Sequence, residues 1–264
     1  MLSHFDIDQL RRLLARGEAP PSGFRFTGIE LGAALELAAA STLEGDATLR
    51  ALLDEWSRTD ERLDGARRAF AGVSTDAELF SAPTLEFAAL RSRADLQQMP
   101  ARFFDRFTRS LKAHGFDHLS VGIAKAFFDM ADNVIQHSGM DVDHTALGVV
   151  GYEVGDRRCA FAVADIGRGV LASLATNRDW SELKSSAEAL DAAVRRGASR
   201  RAGQGPGHGF SDLHRALADL LGSLWFSTGD AVLKLEGQPN HRVVSSSERL
   251  QMTGLQISIC VYLQ

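Results

Sequence analysis

The chain has 264 residues, 45% of them hydrophobic and 24% charged, with 24 Gly and 6 Pro. That balance excludes a disordered chain and fits one large domain or two small ones. A net charge of −5 gives the whole molecule no electrostatic reason to seek nucleic acid or anionic lipid.

No apolar run approaches the ~18 residues that span a bilayer. The start, MLSHFDIDQLRRLL, lacks a basic segment followed by an unbroken apolar stretch, so it does not read as a signal peptide. A cytoplasmic location is expected. Cys159 and Cys260 lie in apolar, strand-like runs and read as two buried thiols in a reducing compartment. Of 29 basic residues only Lys112, Lys125, Lys184 and Lys234 are lysine. None stands in the Gly-Lys-Ser/Thr setting of a phosphate-binding P-loop.

Charge divides the chain. Residues 1–80 hold 9 Arg and 14 Asp/Glu, a net of −5, and residues 81–264 balance at 20 of each sign. Two units are expected: an N-terminal helical unit over 1–80, suited to docking on the rest of the chain or on a partner, and a second unit over 84–264. Helical spacing marks Phe5–Leu14, Ile29–Ala40, a helix capped by Asp46, and Arg58–Phe70. His4, the only histidine of this unit, stands at what reads as a frayed terminus. Gly72–Pro83 reads as a linker.

The second unit opens with a strand, Thr84–Leu90. Helices are predicted over about 96–113 and 119–137. A hairpin follows, with strands Ala146–Glu153 and Cys159–Ala164 about a Gly155-Asp156 turn. A polar, helix-forming stretch (171–201) leads to a glycine cluster and a helix from Phe210 to Leu221. The last strands are Ser223–Ser227, Ala231–Glu236 after a Gly229-Asp230 turn, and Leu255–Leu263. The predicted fold class is an α/β two-layer sandwich, a mixed sheet with helices on one face, preceded by the helical unit.

Four segments carry the chemistry. In the second helix, Asp129, Asn133 and His137 are four apart and share a face. An asparagine between apolar neighbours is a poor core choice unless its amide is used; an exposed polar face is the plainer alternative. Asp165-Ile166-Gly167-Arg168-Gly169 ends a strand, where glycines allow a tight turn and close approach of a ligand. An ordinary strand-to-loop turn reads the same way. Gly205, Gly207 and Gly209 stand immediately before a helix, where exposed N–H groups make an anion site without lysine, or else a hinge. Met252-Thr253-Gly254-Leu255 says nothing alone.

Together and in order, these resemble the four boxes of the GHKL (Bergerat-fold) ATPases, most closely the anti-sigma-factor kinases and free-standing relatives. The resemblance covers residues 84–264. It implies a Bergerat fold binding ATP and Mg²⁺, with Asn133 as the metal-holding asparagine. Asp129 falls on the general-base position. Asp165 falls on the aspartate that accepts from the adenine amino group, and Gly167 and Gly169 shape that pocket. Gly205, Gly207, Gly209 and Phe210 fall on the phosphate loop and helix start. His137 falls one turn beyond Asn133, toward the phosphates or in a structural role. Residues 170–204 correspond to a mobile lid. The implied activity is protein-serine/threonine kinase or slow ATPase in bacterial signalling, or an ATP-sensing switch. A regulatory protein partner and a homodimer are expected by analogy; nucleic acid and membrane are not. Three departures stand out: Asp129 where Glu is common, Leu255 rather than Thr after Gly254, and no phosphoacceptor helix.

Overall fold

The computed structural model describes residues 1–18, 20, 26–43, 47–73, 82–137, 148–195, 198, 221–238 and 241–263. Four N-terminal helices come first: α1 (His4–Ala15), α2 (Leu31–Leu43), α3 (Ala47–Trp56) and α4 (Glu61–Phe70). The Asp60 carboxylate caps α4 by accepting from the N–H groups of Arg62 and Leu63. Asp46, the expected cap of α3, lies outside the described residues, as does most of the linker.

The second part holds β1 (Leu85–Leu90), α5 (Arg93–Met99), α6 (Asp105–Ala113), α7 (Ser120–His137), β2 (Gly148–Gly155) and β3 (Arg158–Asp165). Then come α8 (Gly169–Leu174), α9 (Ser186–Arg195), β4 (Leu221–Gln238) and β5 (His241–Tyr262). The single helix expected over 96–113 is divided by a wide π-turn at Pro100–Phe104. Proline there has no N–H for the regular ladder, and the helix resumes on new phase.

The chain is thus an α/β protein built on a five-stranded sheet of order β1-β2-β3-β5-β4. The expected mixed sheet is corrected: every pairing of these strands is antiparallel. The helices of the second unit lie on one face, as expected, and the N-terminal helical unit covers the other. On one face α6–α9 bury an aromatic core in which Phe107 and Phe127 pack on Tyr152 and Phe161. On the other, α1–α4 cover Phe87, Val149, Ala160, Ala162, Ala164 and Ile166. The helical unit therefore adds a third layer to the expected two.

Residue size explains this second interface. The small alanines of β3 let α2 lie close to the sheet, and a side chain at Gly32 would overlap Ser258. Every residue of α2 from Leu31 to Ser41 is buried, as suits a helix apolar on all sides. Burial on both faces also explains why β3 reads CAFAVAD without polar alternation. His4 is not frayed. It is buried, stacks on Trp225 with ring centroids 4.6 Å apart, and its Nδ1 lies 2.6 Å from Glu36 Oε2. Burial alone would raise the Glu36 carboxyl; the Arg249 guanidinium and His4 outweigh it and hold it at about 2.

Among the described residues no helix is long and apolar enough to cross a membrane. Cys159 is buried and Cys260 half-buried, and both are free thiols.

Candidate functional site

Asp165 is the last residue of β3 and is 4% exposed. Its Oδ1 accepts the Gly167 N–H at 2.8 Å, so the chain folds back on its own side chain in an Asx-type turn. Burial pushes the carboxyl up to about 7, although the N–H groups of Gly167 and Leu255 favour the ionised form. No side chain among the described residues donates to it. A buried acceptor supported only by backbone amides has bonding capacity left for a ligand donor.

The wall beside it comes from β5. Gly254 has φ +86°, and a Cβ there would overlap the Asp165 carbonyl and lie 2.8 Å from Oδ1. Only glycine fits both the conformation and the space. Gly169 also has φ +76°, with Thr228 Oγ1 2.9 Å from where its Cβ would stand. Thr228 ties these pieces together. Its hydroxyl donates to the Gly254 carbonyl at 2.8 Å and accepts the Val170 N–H at 3.1 Å. The segments Asp165–Gly169 and Met252–Leu255, some ninety residues apart in sequence, thus meet across one buried hydroxyl.

Sequence reasoning missed Thr228. The available signal was the glycine that follows it, Gly229, which reads in sequence as half of a Gly229-Asp230 turn. The structure makes it a strand irregularity, with the β4–β5 register shifting on both sides of Gly229.

Helix α7 packs on β1–β3 and on α8. Asn133 stands on it one turn after Asp129, and its amide Nδ2 is buried without a hydrogen-bond partner among the described residues. A buried amide donor without a partner costs free energy and calls for water or ligand. Asp129 is half-exposed and accepts from Lys125 Nζ at 2.8 Å, an i,i+4 ion pair. His137 closes α7, and its side chain lies outside the described residues, as do Gly205, Gly207, Gly209 and Phe210. Of residues 170–204, expected as a lid and as helix-forming, the described part includes α8 and α9, whose Val170, Leu174, Leu190 and Val194 are core residues. Among the described residues no group of three or more His, Cys, Asp and Glu could hold a metal by itself.

No family model and no curated protein matches the chain. Among solved structures, a match described as "Crystal Structure of N terminal domain of a DNA repair protein" is 13% identical, with a TM-score of 0.23. It covers 61% of this chain, which spans about two fifths (41%) of that protein's length.

Proposed function

We propose that the chain is an ATP-binding protein of the GHKL type and that nucleotide occupancy regulates how it meets a protein partner. The Asp165 site carries this reading: a carboxylate 4% exposed, held by backbone N–H groups, at a strand end where Gly254 and Gly169 let three segments of the chain pack tightly together. Asp165 would accept the adenine amino group, which selects adenine over guanine. Asn133 would hold Mg²⁺ through its amide Oδ1, leaving the buried Nδ2, which meets no partner among the described residues, to donate to a phosphate oxygen. One or two protein ligands suffice for Mg²⁺ when substrate phosphates complete its shell. The ion would supply charge neutralisation on the phosphates. Gly205, Gly207 and Gly209 would complete the phosphate side.

The Lys125–Asp129 pair bears on a second reading, a binding switch rather than a kinase or ATPase. Lys125 Nζ already holds one Asp129 oxygen, Oδ2, which leaves Oδ1 to meet a water or a substrate hydroxyl.

Calorimetry with Mg-ATP tests the central reading. Wild type is expected to bind ATP and not GTP, and Asn133→Ala is expected to lose binding. Equal affinity for the two nucleotides would remove the adenine assignment, and unchanged binding by Asn133→Ala would remove the metal assignment. Incubation with labelled ATP then separates the activities: free phosphate marks an ATPase, a labelled second protein a kinase, and binding without turnover a switch.

A further inference from the structure

The β4–β5 ribbon has an unusual middle. Gly229 pairs with Met252 and Ala231 pairs with Glu248, so Arg249, Leu250 and Gln251 oppose the single residue Asp230. These three residues bulge out of the ladder. Backbone groups released this way must find other partners when they leave water. Here α1 supplies them. Asp8 Oδ1 accepts the Leu250 N–H at 2.7 Å, and Arg11 Nη2 donates to the Gln251 carbonyl at 2.9 Å. Arg12 reaches the Glu248 carbonyl at 3.3 Å. The Arg249 side chain is buried under the same helices, paired with Glu36 and donating to Ser227 Oγ at 2.6 Å.

A second irregularity follows at once. Thr228 pairs with Leu255 and Gly229 with Met252, so Thr253 and Gly254 have no pairing residues between them. Gly254 lies directly against Asp165, and its carbonyl is taken by Thr228. Both Gly229 and Gly254 sit at positive φ, +58° and +86°. One bulge is therefore held by α1, and the next, two residues on, carries the glycine that packs on Asp165. Neither is locked by the ladder itself.

We infer that this doubly bulged ribbon is a lever between α1 and the Asp165 pocket, so that the docking of α1 on residues 248–251 sets the affinity of the pocket for nucleotide. The nucleotide half of this inference rests on the proposed ATP site; the mechanical half does not. Side chains of α1 stand in for a missing strand partner, and withdrawing them frees the segment that carries Gly254. Coupling of this kind is reciprocal: nucleotide in the pocket tightens or loosens α1 by the factor that α1 docking changes nucleotide affinity.

Hydrogen exchange on the full chain, wild type against Asp8→Ala, tests the lever. Arg12→Ala serves as the milder variant should Asp8→Ala fold poorly. Without nucleotide, exchange in peptides covering 249–256 and 165–170 is expected to rise at least tenfold, with β2 and α4 unchanged. Faster exchange in α1 alone, with 165–170 unmoved, overturns the lever whether or not ATP binds. With ATP, the variant's affinity is expected to change at least fivefold, and ATP is expected to alter α1 exchange in wild type. Unchanged affinity in a variant whose 165–170 exchange has risen overturns regulation. A wild type that binds no ATP removes the nucleotide half, and the exchange comparison still decides the lever.

Discussion

A carboxylate 4% exposed and held by backbone N–H groups opposes folding whenever it is ionised. For Asp165 the sign follows from the raised value. The folded chain holds the Asp165 proton more tightly than the unfolded chain, about 7 against 3.8. Its contribution to stability is therefore full below the unfolded value and is lost as pH rises through about 7. Three pH units correspond to about 4 kcal/mol. Asp165→Asn keeps the shape and an acceptor for Gly167 but cannot ionise. Urea denaturation is expected to show the variant more stable than wild type at pH 8 by a few kcal/mol, with the gap closing toward pH 4. A variant less stable than wild type at pH 8 would sink the account. Proteins place such destabilised groups where function uses them.

At the scale of elements, most of the fold was legible from periodicity. Helix α1 was expected over 5–14 and runs His4–Ala15; α7 was expected over 119–137 and runs Ser120–His137. Strand β1 and the Gly155-Asp156 turn stand where expected, with Arg157 at φ 59° closing the turn. What failed was the ribbon. Gly229-Asp230 is turn chemistry by composition, yet β4 runs through it, because a glycine at positive φ also serves a bulge. Polar residues such as Ser245–Glu248 hid the long β5, since strand pairing there comes from the partner ribbon and not from alternation. The candidate site was legible in part. Asp165 and Asn133 stand out in local motifs, whereas Thr228 meets Gly254 and Val170 only through tertiary contact. Gly254 gives the sharpest test at this scale. Gly17 and Gly254 both have positive φ, but a Cβ at Gly17 meets nothing within 4 Å, whereas one at Gly254 meets Asp165. Gly17→Ala is expected to cost about 1 kcal/mol, the conformational penalty alone. Gly254→Ala adds overlap with backbone and is expected to cost about 3 kcal/mol or more. Equal losses in thermal denaturation would mean that the close approach at Asp165 does not constrain the fold.

For the whole molecule, the charge division at residue 80 and the packing tell different stories. The charges mark two stretches, one carrying the whole surplus of −5. The packing joins them in a single apolar cluster, because the sheet face under α1–α4 has no other cover among the described residues. Three of the large side chains on that face, Phe87, Val149 and Ile166, are at most 5% exposed. Burial of each stabilises by about 1.5–3 kcal/mol. Losing all three removes about 5–9 kcal/mol, comparable with the total stability of a typical domain. The ion pairs of Arg249 with Glu36 and of Arg62 with Glu153 cross the same boundary, and breaking them leaves half-buried or buried charge on the sheet side. A chain beginning at residue 82 is therefore expected to aggregate or to bind hydrophobic dyes, and the full chain to melt in one calorimetric transition. A stable 82–264 fragment with a sharp transition of its own would show that the helices are a separable appendage. In that case α1 could leave the ribbon at little cost, and the lever would have no load to carry. The single-transition outcome instead makes the helical layer part of the same fold as the sheet, so that anything binding α1 acts on a structure already shared with Asp165 and Gly254.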